Sequence, residues 1–407
     1  MKTIIFRLGT VLAVTATGIL LLACITFVGE KSSGPIEGFI SSLGNTVTSL
    51  ETKYIMAQRG ESRSNTLAWL NEYKNDRAQL TNPNAMFLGA YDNNAHDNFK
   101  AIVSFEDSIE TVLPLIHFFT AWGGNRDQRF PSSQVNSIAA LGSIPVITWE
   151  PWLADFDQKS FPGIAPADER NMENLKSIAS GAYDTYIDQW ANDAKASGQM
   201  MFVRFGHEMN DPFRYPWGPQ NNAPEDFVAS WQHVVTRFRE QGADNVIWVW
   251  SPHPTYGDFQ AYYPGDEFVD WVGTGILNYG TVAPWSQWES FDDKFASKYD
   301  ELVEFNKPIM IAEFGSLSTG GDKSTWFREA LTDFPAKYPA VKSLVFFHDS
   351  SDATTTYQAL NWYIKNDPSV VRELVAAINN WKDMPSIEGY KKDRLTYTGS
   401  NTNITNN

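Results

Sequence analysis

Residues 201–210 read Met-Phe-Val-Arg-Phe-Gly-His-Glu-Met-Asn, a short apolar run that ends in polar and charged residues. Residues 308–315, Pro-Ile-Met-Ile-Ala-Glu-Phe-Gly, have the same form. A short apolar run that is bounded by polar residues and glycine is typical of a buried parallel strand. Outward from these two stretches, similar runs alternate with helical stretches from residue 84 onward, which predicts βα units and a parallel sheet.

Eight such runs predict eight strands, at residues 86–91, 112–119, 144–149, 200–205, 245–250, 271–277, 308–312 and 343–348. Helices are predicted from Pro224 to Gly242, over 324–335 and over 369–382. Eight strands within about 300 residues favour an α/β fold of the (β/α)8 TIM-barrel type, over residues 84–384. The alternative is a doubly wound open sheet, but Gly89-Ala90-Tyr91-Asp92 is not the phosphate-binding loop that would follow its first strand.

The N-terminal segment predicts export. Lys2 and Arg7 precede an uncharged stretch over residues 8–28, which is long enough to cross a bilayer as a helix. Residues 1–29 therefore indicate a signal anchor, with the rest of the chain on the extracytoplasmic side of the membrane. Two alternatives stay open: a lipoprotein signal acylated at Cys24, and a cleaved signal that gives a secreted protein.

Two further segments flank the barrel. Residues 30–83 are predicted to be a helical spacer, in which Leu67, Leu70 and Tyr73 have helical spacing. Residues 385–407 are rich in Asn, Thr, Ser and Lys, which predicts a flexible tail.

Composition excludes several partners. With 32 Lys and Arg against 48 Asp and Glu, the net charge is −16, which disfavours nucleic acid. The single cysteine excludes an internal disulfide and Cys-rich zinc sites, and we expect no metal, no organic cofactor and a monomer. The 15 Trp, 16 Tyr and 26 Phe residues suggest ring surfaces for ligand stacking as well as a core.

Two glutamates follow apolar runs at the ends of predicted strands four and seven. These strands lie on opposite sides of a barrel, so Glu208 and Glu313 are expected to face each other across its mouth. Glycoside hydrolysis needs two carboxylic groups that flank the scissile bond. Tyr279 is a candidate hydrogen-bond donor that would keep Glu313 ionised. The polar neighbours predicted for Glu208 are Arg204, His207 and Asn210.

Rings and hydrogen-bonding groups at the other strand ends suggest a sugar-binding groove. These candidates are Trp122, Trp149, Glu150, Trp152, Trp217, Trp250, His253 and His348. His207-Glu208 lacks a second histidine four residues on, so the zinc-protease pattern fails, and no G-x-S-x-G elbow is present.

Three motifs carry a family resemblance. The runs Arg204–Asn210 with Tyr215-Pro-Trp-Gly218, Pro308–Gly315 and Ile147–Pro151 resemble glycoside hydrolase family 26, over residues 86–381. The resemblance implies a (β/α)8 barrel and a retaining mechanism, with Glu208 as acid/base and Glu313 as nucleophile. It also implies that Arg204, His207 and Tyr279 support the cleaved sugar and that Trp217 is a stacking platform. Most members are endo-β-1,4-mannanases, and others cut mixed-linkage β-1,3-1,4-glucan or β-1,3-xylan.

Because the sequence departs from the mannanase pattern in three places, it does not determine which sugar the substrate contains. The run 211–217 replaces the usual Asn-Gly-x-Trp, the run 149–152 is closer to glucanase-like members, and His348 stands where a large aromatic residue is expected. The resulting hypothesis is a retaining endo-β-glycanase acting on β-mannan or mixed-linkage β-glucan, with catalytic carboxyls about 5–5.5 Å apart. Alternatives are a membrane-tethered hydrolase or transglycosylase of exopolysaccharide, and a non-catalytic glycan-binding barrel.

Overall fold

Eight parallel strands close into a barrel in chain order, and the eighth pairs with the first. The computed structural model describes residues 52–93, 99–172, 174–356 and 358–381. Closure leaves no strand edge unpaired and brings the carboxyl ends of all strands to one rim. The strands are β1 Phe87–Tyr91, β2 Leu115–Ala121, β3 Ile144–Glu150, β4 Met201–Phe205, β5 Val246–Trp250, β6 Trp271–Asn278, β7 Ile309–Ser316 and β8 Val341–Phe347. The predicted TIM barrel is confirmed.

Helices surround the barrel between consecutive strands. The helix that begins at Pro224 ends at a left-handed Gly242, with φ 71°, as its end signals predict. The predicted helix 324–335 is two helices, because Asp333 is left-handed with φ 54°. The helices are 52–66, Asn71–Lys74, Arg77–Thr81, Lys100–Ile109, Ser132–Ala140, Asn174–Ala179, Asp184–Ser197, Pro224–Gln241, Phe291–Val303, Lys323–Leu331, Phe334–Lys337 and Pro368–Trp381, with 3-10 turns at Ala68–Leu70, Arg126–Gln128 and Phe259–Tyr262.

The segment before β1 packs against the barrel. Tyr73 meets Phe87 edge-on at 5.1 Å, and Trp69 stacks on the same ring at 6.0 Å. Leu67 and Leu70 are fully buried, and residues from Thr52 onward belong to one compact unit. The described part of 30–83 therefore forms part of the barrel's packing, whereas the sequence predicts a spacer.

A buried ion pair fixes this segment. Arg63, on helix 52–66, donates to both carboxylate oxygens of Glu106, at 2.9 and 2.5 Å, and both side chains are almost fully buried. Arg63 also donates to the carbonyl of Leu141 and to Ser143 Oγ, and Glu106 accepts from the Leu113 N–H at 2.9 Å. All of these partners precede β2 or β3, so the pair joins the N-terminal helix to the start of the sheet.

The predicted anchor 1–29 with Cys24 and the predicted tail 385–407 lie outside the described residues. Within the described ranges, no helix combines the length and the hydropathy that a bilayer crossing requires.

Replacement of Arg63 by Met tests the role of the buried pair. The change leaves the Glu106 carboxylate buried without its cation, so we expect a loss of about 3–5 kcal/mol in the free energy of unfolding. Arg328→Met is the matched control, because Arg328 contacts Glu329 at 3.6 Å while both side chains are exposed. Its expected effect, measured by urea unfolding, is within about 0.5 kcal/mol. Equal effects of the two substitutions would contradict this role.

Candidate active site

Glu208 has an unusual backbone conformation. It is the third residue after β4, and its φ is 53°, in the left-handed region that side chains other than glycine rarely adopt. The Glu208 N–H donates to the Ser251 carbonyl at 2.7 Å, and the Glu208 carbonyl accepts from Asp211 N–H at 2.9 Å. Strain that is held by fixed partners is concentrated at functional sites, so the outlier points to a role for this carboxylate.

Glu313 lies on an irregularity of β7. Thr274 pairs with Ile311, but the next residue of β6, Gly275, pairs with Glu313, so Ala312 is the extra residue of a bulge. A bulge breaks the alternation of side chains between the two faces of a strand and re-aims the residue that follows. β7 continues to Ser316, beyond the predicted end at residue 312, so Glu313 lies within the strand.

The two carboxylates face one space, which is left by a glycine. A Cβ atom at Gly275 would stand 3.6 Å from Glu208 Oε1 and 3.9 Å from Glu313 Cδ. The loop after β4, β6 and β7 therefore meet at one point of the barrel mouth, where Gly275 places no side chain between the acids.

Each acid has its own guanidinium. Arg204 Nη2 donates to Glu313 Oε1 at 2.5 Å, and Arg214 Nη1 donates to Glu208 Oε2 at 3.1 Å. Burial raises the pKa of Glu313 above its ordinary value and the charge of Glu208 adds to this, whereas Arg204 opposes the shift. Arg204 is only 1% exposed, so it is a buried counter-ion of Glu313.

Tyr279 does not bond to Glu313 as predicted. Its hydroxyl pairs with Thr355 Oγ1 at 3.2 Å, and burial raises its pKa. Arg204 has the role that the sequence assigns to Tyr279. Tyr279 remains half-buried, near the exposed ring of Trp285 at 5.3 Å.

A column of rings supports Arg214. Its guanidinium lies 5.1 Å from the ring of Tyr215, which stacks on Trp217 at 4.5 Å. Trp217 donates its indole N–H to the His207 carbonyl at 2.8 Å and is 1% exposed. His207 is also buried, contacts the Tyr215 hydroxyl at 3.0 Å, and has a pKa held well below its usual value by burial. Trp217 is therefore a buried support for the ring beneath Arg214 and not the exposed stacking platform that the resemblance implies.

Three other predicted platforms face away from the mouth. Trp149 stacks on Trp190 of a surrounding helix at 4.5 Å, and Trp250 meets Phe305 at 5.1 Å. Trp122 packs on Trp149 at 4.5 Å, and all three predicted rings are fully buried. Alternate residues of a barrel strand point outward to the helices, and the sequence does not show which of the two faces a strand-end ring takes.

His348 and Asn210 are also structural. His348 is fully buried; its Nδ1 donates to Asp92 Oδ2 at 2.8 Å, and Tyr363 stacks on its ring at 4.1 Å. The Asn210 amide accepts from the His253 N–H at 2.7 Å and donates to the carbonyls of His253 and Tyr256. Asn210 thus ties the loop after β5 to the loop after β4, and both of its amide hydrogens are used within the protein.

Glu150 and Trp152 keep partial access to the mouth. Trp152 Nε1 donates to Glu150 Oε2 at 3.1 Å, and the Glu150 side chain is 17% exposed. Burial raises the pKa of Glu150 to about 7, with a smaller contribution from the charge of Glu313. Around neutral pH this carboxyl is therefore partly protonated and can donate a hydrogen bond.

The sequence motifs do not predict a role for Arg214, Asp211 or Gly275. Arg214 and Asp211 lie in the run 211–217, whose departure from the mannanase pattern is the signal that could have identified them. Gly275 has no such signal, because its contribution is the absence of a side chain.

One group among the described residues has the composition of a metal site. Potential ligand atoms of Glu208, Asp211 and His253 lie within 4.8 Å of one another. However, His253 Nδ1 accepts a hydrogen bond from the Thr255 N–H at 3.1 Å, so the proton of the neutral ring lies on Nε2. Burial lowers the pKa of His253 to about 4. The neutral ring thus presents an N–H donor beside the carboxylates, which suits a hydroxyl group better than a cation.

Comparisons with known proteins identify the family of this chain. The glycosyl hydrolase family 26 model matches residues 133–366. Endoglucanase H of Acetivibrio thermocellus is 33% identical over 296 residues, which are 70% of this chain and 30% of that protein. Mannan endo-1,4-beta-mannosidase A and B of Caldalkalibacillus mannanilyticus is 22% identical over 227 residues, 52% of this chain and 41% of that protein. The chain spans less than half the length of these curated relatives.

Solved structures share the fold. GH26C from Muricauda sp. aligns with a TM-score of 0.56 at 17% identity, over 84% of this chain and 98% of that chain. A family 26 β-mannanase from Bacteroides ovatus aligns with a TM-score of 0.53 at 16% identity, over 80% and 94%. The residues that the family model matches include both facing acids and make up more than half of the chain. The chain therefore belongs to glycosyl hydrolase family 26.

Proposed function

We propose that this protein is a retaining endo-β-glycanase that hydrolyses β-1,4 linkages in mixed-linkage β-glucan. The observation that carries the proposal is the pair Glu208 and Glu313, which face one space at the barrel mouth, each against its own arginine. A pair of carboxylic groups at this position is what double displacement at an anomeric carbon requires.

The proposed reaction assigns one role to each acid. Glu208 protonates the leaving oxygen while Glu313 attacks the anomeric carbon and forms a covalent glycosyl-enzyme. Water that is deprotonated by Glu208 then releases the sugar with retention of configuration. Arg204 favours the ionised form of Glu313 that the attack needs.

The substrate is proposed from three observations. The relative with 33% identity over most of this chain is named an endoglucanase. The run 149–152, with Glu150 and Trp152 at the mouth, resembles glucanase-like members. Both arginines beside the two acids are ion-paired, Arg204 with Glu313 and Arg214 with Glu208, so neither offers its charge to an anionic sugar, and this suits an uncharged polysaccharide. β-Mannan is the second candidate, since three mannan endo-1,4-beta-mannosidases match at 22–28% identity. Reducing-sugar release from barley-type β-glucan, glucomannan, galactomannan and β-1,3-xylan separates these candidates.

We also propose export and retention at the membrane through residues 1–29, with the barrel acting as a monomer outside the cytoplasm. The uncharged run over 8–28 after Lys2 and Arg7 supports this placement.

Glu208→Gln and Glu313→Gln test the catalytic assignment. Each removes an essential carboxylate but keeps the side-chain shape, so we expect the rate of reducing-end release to fall about a thousandfold or more. Glu304→Gln, on an exposed residue, should leave the rate unchanged. Wild-type rates in either active-site variant would rule out the mechanism, and no reducing-end release by the wild type on any of the four polysaccharides would favour a non-catalytic glycan-binding barrel.

Glu150→Gln tests the buried carboxyl. The pKa of Glu150 is about 7 in the folded chain, whereas its ordinary value is 4.5. Between these two values Glu150 keeps its proton in the folded chain and loses it in the unfolded chain. The free energy of unfolding therefore falls as the pH rises from 4.5 to 7. Above pH 7, the free energy of unfolding is lower than its value below pH 4.5 by up to about 3 kcal/mol. The glutamine amide cannot ionise, so the variant should gain in melting temperature over the wild type at pH 8 but not at pH 4.5. A difference in melting temperature between variant and wild type that is the same at both pH values would contradict the raised pKa of Glu150.

Cys24→Ser distinguishes a signal anchor from a lipoprotein signal. If residues 1–29 anchor the chain as a helix, the variant stays in the membrane fraction, because no acyl chain is needed. The measurement is activity in membrane and soluble fractions of the producing cells. Release of the variant into the soluble fraction would instead support acylation at Cys24.

A further inference from the structure

The two carboxylate oxygens of Glu208 have different neighbours. Oε2 accepts a hydrogen bond from Arg214 Nη1 at 3.1 Å. Oε1 faces the space left by Gly275, where an added Cβ atom would stand 3.6 Å from it, and Glu313 borders the same space. One oxygen is thus bonded to a cation, while the other faces the position of the reacting sugar.

Glu208 can therefore carry a proton while Arg214 stays in place. A protonated carboxyl keeps an acceptor oxygen, so a proton on Oε1 leaves the bond from Arg214 to Oε2 intact. Two further acids, Asp211 and Glu313, lie near Glu208 and repel a negative charge there. The arrangement is compatible with both charge states that an acid/base must adopt.

Arg214 is held as a positive charge beside this carboxyl. Its side chain is 27% exposed and that of Glu208 is 8% exposed, so water screens the contact only in part. The guanidinium lies 5.1 Å from the ring of Tyr215, which stacks on the buried Trp217. Although burial acts to lower it, the pKa of Arg214 is raised above its ordinary value by the charge of Glu208.

Proton donation changes the charge at Glu208. As the glycosidic bond breaks, the leaving oxygen keeps the bonding electrons and takes the Oε1 proton, while an oxygen of Glu313 bonds to the anomeric carbon. Glu208 becomes a carboxylate whose charge is shared by both oxygens. The bond from Arg214 to Oε2 then joins two charged groups, so it is stronger at the end of the transfer than at its start. An interaction that strengthens toward the transition state lowers the barrier.

We propose that Arg214 stabilises the negative charge that Glu208 acquires as its proton passes to the leaving oxygen, and that it is thus a positioning residue for proton donation. This inference rests on the proposed function. It gives the run 211–217, which departs from the mannanase pattern, a part in the chemical step.

The test compares two aryl glycosides in the full chain. Both carry a disaccharide that the wild type releases from the polysaccharide it hydrolyses fastest, and they differ in the leaving group. Phenol needs a proton to leave, whereas 2,4-dinitrophenol leaves as a stable anion. Neither substrate places a sugar on the leaving side, so a change in sugar binding there cannot separate them.

Arg214→Met removes the charge and keeps an apolar chain over Tyr215. For the phenyl glycoside we expect kcat and kcat/KM to fall together about tenfold with KM unchanged, because the lost interaction belongs to the transition state. For the dinitrophenyl glycoside kcat/KM should stay within about twofold, which also shows that the variant is folded. Arg214→Lys keeps the charge and should recover most of the loss. Each variant is measured at the pH of its fastest turnover.

Arg328→Met is the matched control, because Arg328 contacts Glu329 while both side chains are exposed, and it should leave both rates unchanged. Equal losses on the two glycosides would mean that Arg214 only holds Glu208 in place, and no loss on either would mean that its charge plays no part. Each of these results would overturn the inference. A wild type that hydrolyses none of the four polysaccharides would overturn the proposed function itself, so the two failures are distinguishable.

Discussion

The ion pair between Arg204 and Glu313 is the interaction on which the geometry of the mouth depends. A carboxylate that is buried beside a second carboxylate stays charged only if a cation is fixed against it. The two residues are 109 positions apart and are brought together by closure of the barrel. Arg204 lies beneath Glu313, so the space above the carboxylate is left to substrate.

The second acid is held differently. Arg214 reaches Glu208 from an irregular loop, and its position depends on the stacked Tyr215 and Trp217 beneath it. The left-handed backbone of Glu208 is held by hydrogen bonds to neighbouring loops. One acid is thus fixed by the barrel itself and the other by loops. This difference fits the roles proposed above, in which Glu313 is the nucleophile and Glu208 exchanges protons with groups that enter and leave.

The fold could be predicted from the sequence because apolar runs and helix end signals are local. The positions of Glu208 and Glu313 followed, since parallel strands share one rim. The direction of the strand-end rings could not be predicted: Trp149 and Trp250 take the outward face, and only packing with the helices decides this. The partner of Arg63 lies 43 residues away, so the apolar spacing of its segment could not show that it packs on the barrel.

Gly275 separates the requirements of folding from those of catalysis. An added methyl group there would meet Glu208 and Glu313 only at ordinary van der Waals distance, so the barrel would tolerate it. Any longer side chain would enter the volume that the reacting sugar needs. An alanine at this position would therefore narrow the space between the two acids without a steric cost to the fold, and a survey of chemically reactive side chains would pass over the position altogether.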